Sequence, residues 1–232
     1  MLEQLFLNQT LGPLGMTNFL RHALHWGVAQ GYSLDFLILI LLLPLALTAV
    51  ALARYLIGIQ GLNFFAPVIM AVAFLPIGII PGLILFLAIL LIEILVILIL
   101  RRLKIHFAAK MALVLLVACL GFLPLFFLAS SLKLSSLFSS SLIPILVLIL
   151  IGENLAEVQL RKAPKKAFRA VLETLILAFL AFAVLSSMIL KKMVLFYPEA
   201  MIILIVILDI WIGQFTGLRL LEYRRFRKLL KK

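Results

Sequence analysis

One cysteine, three histidines and nine acidic residues are all that this chain of 232 residues sets aside for metal, redox or acid–base chemistry. The single cysteine, Cys119, lies within an apolar run, which excludes a disulfide framework and a cysteine metal cluster. His22 and His25 have a possible ligand spacing, but a zinc site needs three or four ligands, so no metal and no cofactor is expected. Catalytic signatures are missing as well: there is no HExxH, no GxSxG, no phosphate-binding glycine loop with its lysine, and no histidine within a predicted span. The chain is therefore not expected to be an enzyme. The N-terminal Met1-Leu2-Glu3-Gln4 lacks the basic start of a secretory signal, so no removable leader is expected. No internal repeat of fixed period is present, which weakens an inverted-repeat carrier.

Charge is the scarcest resource. Charged residues make up 13% of the chain against 66% hydrophobic, and the mean hydropathy is +1.30, far outside the range of soluble domains. An integral membrane protein follows. The alternating segments of an outer-membrane barrel are absent, so helices must satisfy the backbone within the bilayer. The fold class is all-α, a polytopic membrane helix bundle with about seven transmembrane helices. Spans are predicted at 35–57, 64–80, 82–101, 109–129, 141–160, 169–190 and 195–216. The second is interrupted by Pro76 and ended by Pro81 and Gly82, so a re-entrant helix is an alternative there. Pro44, Pro124 and Pro144 lie within spans one, four and five.

Three parts are expected: an amphipathic extracytoplasmic segment over 1–33, a seven-helix membrane domain over 34–218 and a basic cytoplasmic tail over 219–232. The tail carries Arg219, Arg224, Arg225, Arg227, Lys228, Lys231 and Lys232 against Glu222 alone, and should not cross a bilayer. With the tail inside, only Arg21, Lys133, Lys191 and Lys192 fall on the outer side, and every other lysine and arginine falls on the inner side. This bias predicts the N-terminus outside and the C-terminus inside a bacterial cytoplasmic membrane. Topology thus accounts for a net charge of +12 without nucleic acid. The tail suits anionic lipid or an acidic partner.

Ionisable groups inside spans are the clearest pointers to function, because a charge at the bilayer centre costs about 3 kcal/mol even on lenient insertion scales. Glu93 lies near the middle of span three, and Glu153, Asn154 and Glu157 in span five, Glu173 in span six and Asp209 in span seven lean to the cytoplasmic half. Arg54 lies near the inner edge of span one. Arg54, Glu93, Glu153, Asn154, Glu157 and Asp209 form the candidate polar site, either a hydrated vestibule or a set of interhelical pairs. Glu157 with Arg161 and Arg169 with Glu173 are spaced as local i,i+4 pairs. Asp209, Gly213 and Gly217 recur every four residues and share a face, so a neighbouring helix is expected to approach closely and Asp209 to face protein.

Four stretches carry a family resemblance: ARYLIGIQGLNFFAPVIMAVAF from Ala53 to Phe74, PILVLILIGENL from Pro144 to Leu155, YPE from Tyr197 to Glu199, and GQFTGLRLLEYRRFR from Gly213 to Arg227. Together they resemble a bacterial family of seven-helix membrane domains usually fused to an inactive transglutaminase-like domain. The resemblance implies that such a domain precedes span one on the extracytoplasmic side. Because only a short segment precedes span one here, that domain is expected on a separate chain. The resemblance also implies association with an ATP-grasp, glutamate-ligase-like protein in a cell-envelope pathway, and it transfers no catalytic residue.

The expected function is an integral membrane scaffold or receptor-like module working with such envelope partners. The alternative is a proton-coupled transporter using the acidic layer. An intramembrane hydrolase or lipid transferase would rest on the Glu153 and Glu157 spacing alone.

Overall fold

The computed structural model describes Gly15 and residues 18–59, 61–100, 106–131, 142–161 and 164–214. Every regular element among them is helical. In chain order they are α1 (Phe19–Ala29), α2 (Leu34–Leu52) with a π turn (Ala53–Ile57), α3 (Ala66–Ile77), α4 (Ile79–Leu100), α5 (Phe107–Ser131), α6 (Leu142–Arg161), α7 (Pro164–Ser186), α8 (Met188–Phe196) and α9 (Pro198–Gly213). They group into two compact units, one of residues 1–59 with 183–232 and one of residues 60–182.

In the first unit, α2 buries Leu34, Ile38, Leu42, Ala46 and Val50, one residue per turn, and leaves Phe36, Ile40 and Leu43 exposed. This is the pattern of a helix with one face on protein and the rest on lipid. It packs against α9 and α8, while α1 rests on both α2 and α9. The contacts fix a direction. Arg21, in the first turn of α1, bonds to Phe196 and Glu199 at the start of α9, Gly27 of the same helix abuts Leu37 near the start of α2, and deeper in both α2 and α9 Thr48 bonds to Asp209. The helices α2 and α9 therefore run side by side the same way.

In the second unit, α4 packs on α5 and α6, and α3 packs on α6. The buried face of α4 runs through Phe86, Ile89, Leu90, Glu93, Val96, Ile97 and Leu100, meeting Leu148 and Ile149 of α6 and Val114 and Ala118 of α5.

Three helices among the described residues are long and apolar enough to cross a membrane: Leu34–Ile57, Ile79–Leu100 and Phe168–Ser186. The count is up to four if α8 and α9, bent by 110°, form one span. Only 33–44% of each of the three is buried inside the protein, leaving a broad apolar surface for lipid.

Two predicted boundaries are corrected. The second span does not end at Pro81 and Gly82. Its helix α3 stops at Ile77, after 12 residues, because Gly78 takes a left-handed φ of 91°. At 1.5 Å per residue α3 covers only about 18 Å, well short of a bilayer core. Pro81 instead falls in the first turn of α4, where its missing N–H has no partner to lose. Gly82 is buried under the Phe74 ring, which a side chain there would strike. Nor does the sixth span continue to residue 190, since the helix breaks at Ser187, and Pro198 opens α9 at its first position. The connection between the fourth and fifth predicted spans lies outside the described residues over 132–141, as do residues 1–14 and the tail from 215.

Candidate functional site

Glu93 is the most enclosed charge-bearing side chain among the described residues, at 0% exposure. It occupies the α4 face that otherwise carries leucine, isoleucine, valine and phenylalanine, so α4 carries a carboxylate into the core of its unit. What makes room for it is Gly152 on α6: a Cβ there would overlap Glu93 Oε2. Glycine thus lets the α6 backbone come up against the carboxylate. The next residues of α6 are Glu153 and Asn154, with Glu157 one turn on, and their side chains lie outside the described residues.

A second polar arrangement in this unit ties the segment ahead of α3 to α7. Glu173 Oε2 accepts the N–H of Gly61 at 3.2 Å, and its Oε1 accepts Arg169 Nε at 2.7 Å, the i,i+4 pair expected from spacing. Thr174 Oγ1 accepts the N–H of Leu62 at 3.0 Å and donates to the Ala170 carbonyl at 2.8 Å. Two consecutive side chains of α7 thereby satisfy two consecutive backbone donors that no helix could satisfy. Gly61 has a positive φ of 51°, a backbone state glycine adopts at little cost.

In the first unit, Asp209 on α9 meets α2 through Thr48, whose Oγ1 lies 2.9 Å from Asp209 Oδ1 and 3.1 Å from the Pro44 carbonyl. The hydroxyl donates towards both oxygens. Asp209 is nevertheless exposed at the protein surface. Arg54 sits in the π turn, half-buried, with Nε enclosed. That turn closes when Gly58, at φ 94°, donates its N–H to the Ala53 carbonyl. The close helix approach expected at Gly213 is not made among the described residues, for nothing lies within 4 Å of where its Cβ would be. Gly217 lies outside the described residues. The expected polar site divides between the units, with Arg54 and Asp209 in the first and Glu93, Glu153, Asn154 and Glu157 in the second.

Sequence reasoning missed one well-connected residue of the first unit. Arg21 was a mere loop charge by sequence, yet its backbone N–H donates to Glu199 Oε1 at 3.1 Å, its Nη2 donates to the Phe196 carbonyl, and its guanidinium lies 5.7 Å from the centre of the Tyr197 ring. The YPE stretch supplies all of this except the Phe196 carbonyl. Tyr197 offers a ring face, Pro198 starts the helix, and Glu199, in the first turn, sits where the helix dipole favours an anion.

These features fall within, or just ahead of, a stretch that matches a known family. The family whose model matches residues 24–230 is described as seven transmembrane helices usually fused to an inactive transglutaminase. The chain belongs to this family. No curated protein and no solved structure matches it. As a member it is a multi-pass membrane protein in contact with the lipid bilayer, and the match includes Glu93, Gly152, Thr48, Asp209 and the YPE stretch but not Arg21.

Proposed function

We propose that this chain is a membrane scaffold or receptor-like module that works, without catalysis of its own, with cell-envelope partners: a transglutaminase-like protein outside the membrane or an ATP-grasp ligase-like protein. Membership of a family usually fused to an inactive transglutaminase carries this reading. A membrane domain routinely joined to a domain that has lost catalysis is suited to binding and display. We assign residues 1–33 to the extracytoplasmic side, 34–218 to a seven-span domain and 219–232 to the cytoplasmic side of a bacterial inner membrane. The basic tail there would meet anionic lipid or an acidic partner.

The parallel course of α2 and α9 supports an odd number of crossings. If α2 makes the first crossing and α9 the last, both can run the same way only when the total is odd. Six crossings would make them antiparallel. On this reading the α3 region crosses together with its flanking residues rather than turning back.

Purification from native membranes in mild detergent tests the functional reading. A stoichiometric transglutaminase-like or ATP-grasp partner is expected, and recovery of the chain alone would count against the scaffold.

A second reading, a proton-coupled carrier, is favoured by the enclosure of Glu93 against Gly152 ahead of the acidic run of α6. Its working residues would be Glu93, Glu153, Asn154 and Glu157, with Arg54 and Asp209, since a carboxylate inside a membrane domain is most often there for function. Proton flux into liposomes decides it. Unchanged flux in both Glu93→Gln and Asp209→Asn would remove it.

A further inference from the structure

The helix α1 presents three different faces. Leu24, Gly27 and Val28 are buried against the first unit. Arg21, His22 and His25, all half-buried, make a polar arc. Phe19, Ala23 and Trp26 form a third stripe that is exposed, with Phe19 at 62% and Trp26 at 65%. At 100° per residue the centres of these arcs lie about 120° apart. A soluble surface helix needs two faces, one for protein and one for water. A third face that is apolar, aromatic and turned away from the protein calls for a third phase.

The level at which α1 sits identifies that phase. Its C-terminal end leads through four residues into α2, and its first turn is bonded by Arg21 to Phe196 and Glu199 at the start of α9. The helices α2 and α9 run parallel, so α1 lies where two apolar helices begin together. Tyr32, just ahead of α2, and Tyr197, just ahead of α9, are both exposed, and the exposed Phe36 and Ile40 of α2 carry the apolar surface onward. Tyrosine and tryptophan gather where headgroups meet acyl chains.

We infer that α1 docks on the bilayer itself, lying along the boundary between headgroups and acyl chains with Phe19, Ala23 and Trp26 in the lipid, and that the Arg21 bonds hold it there. The occupant of the exposed stripe is lipid rather than a protein partner. The inference rests on membrane embedding and on the α1 contacts; which leaflet is involved does not enter it, and the scaffold reading stands or falls separately.

The chain has two tryptophans, so Trp211→Phe leaves Trp26 as the only one. The full-length variant is reconstituted in phosphatidylcholine liposomes whose acyl chains carry bromine either near the headgroup or near the terminal methyl. Bromine near the headgroup is expected to lower Trp26 emission by about twofold or more, with little quenching by aqueous iodide. Strong iodide quenching with no effect of bromolipid would place α1 in water and overturn the inference, as would strongest quenching by the deep bromine. A spin label on Ala23→Cys in a Cys119→Ala background gives an independent reading if Trp211→Phe folds poorly. Greater accessibility to oxygen than to an aqueous nickel chelate supports lipid docking, and the reverse overturns it.

Discussion

Thr48 and Asp209 stand 161 positions apart in the chain, and the hydroxyl of one lies 2.9 Å from the carboxylate of the other. Hydrogen bonds between helices in a bilayer are worth about 0.6 kcal/mol on average and rarely more than about 2 kcal/mol. Thr48→Val keeps the shape and removes the donor. It should lower stability by about 1 kcal/mol, read as the shift in the midpoint of denaturation in mixed micelles, with Thr48→Ser close to wild type.

Gly152 and Glu93 make a sterically coupled pair. Gly152→Ala places a Cβ on the carboxylate and should cost about 1–3 kcal/mol, the usual range for overpacking a core. Glu93→Ala removes the obstacle, so the double variant should be less destabilised than the sum of the two single ones. A double-mutant cycle on the same unfolding midpoints checks this, and strict additivity would show that the two sites do not touch.

Arg21 should control the order of α1. In Arg21→Ala the Nη2 bond to Phe196 and the stacking on Tyr197 are lost, while the backbone bond to Glu199 survives. Amide exchange over residues 19–29 should accelerate by about tenfold, equivalent to about 1.4 kcal/mol of local stability. Glu199→Gln, which retains an acceptor, should change it less.

Much of this architecture was legible in the sequence, and the parts that were not share a cause. Long apolar runs such as Leu83 to Leu100 can only be buried or lipid-facing helices, so each predicted span falls mostly on helix among the described residues, while the breaks at Gly78, Ser187 and Tyr197 were not foreseen. The Arg169 and Glu173 pair was legible because both partners lie on one turn. Arg21 was not, since its partners lie at least 175 positions away. Gly213 shows a different limit: spacing put it on one face with Asp209, but spacing cannot say whether that face meets another helix, and among the described residues nothing lies against it. The break after α3 was misplaced because proline looked like the stronger signal. In fact Pro81 tolerates a first turn, and Gly78, free to take a positive φ, ends the helix.

The bonds from Gly61 and Leu62 to α7 give a further test. Thr174→Val removes the acceptor for the Leu62 N–H, and Glu173→Ala the acceptor for Gly61. Each variant should raise amide exchange over residues 61–65 by about tenfold and leave α4 protected, because an unmade buried hydrogen bond costs about 1–3 kcal/mol. Gly58→Ala should be more damaging than either, since a φ of 94° is strained for any residue with a side chain.

The seating of Glu93 on Gly152 also bears on how such chains can diverge. Volume at these two places is shared between helices more than fifty positions apart, so neither residue can drift alone. A relative that gains a side chain opposite the glutamate must shorten the glutamate, and one that keeps the glutamate must keep its glycine. Paired change at these positions across a set of relatives would therefore record the presence of the carboxylate inside the bundle, even where neither residue looks invariant by itself.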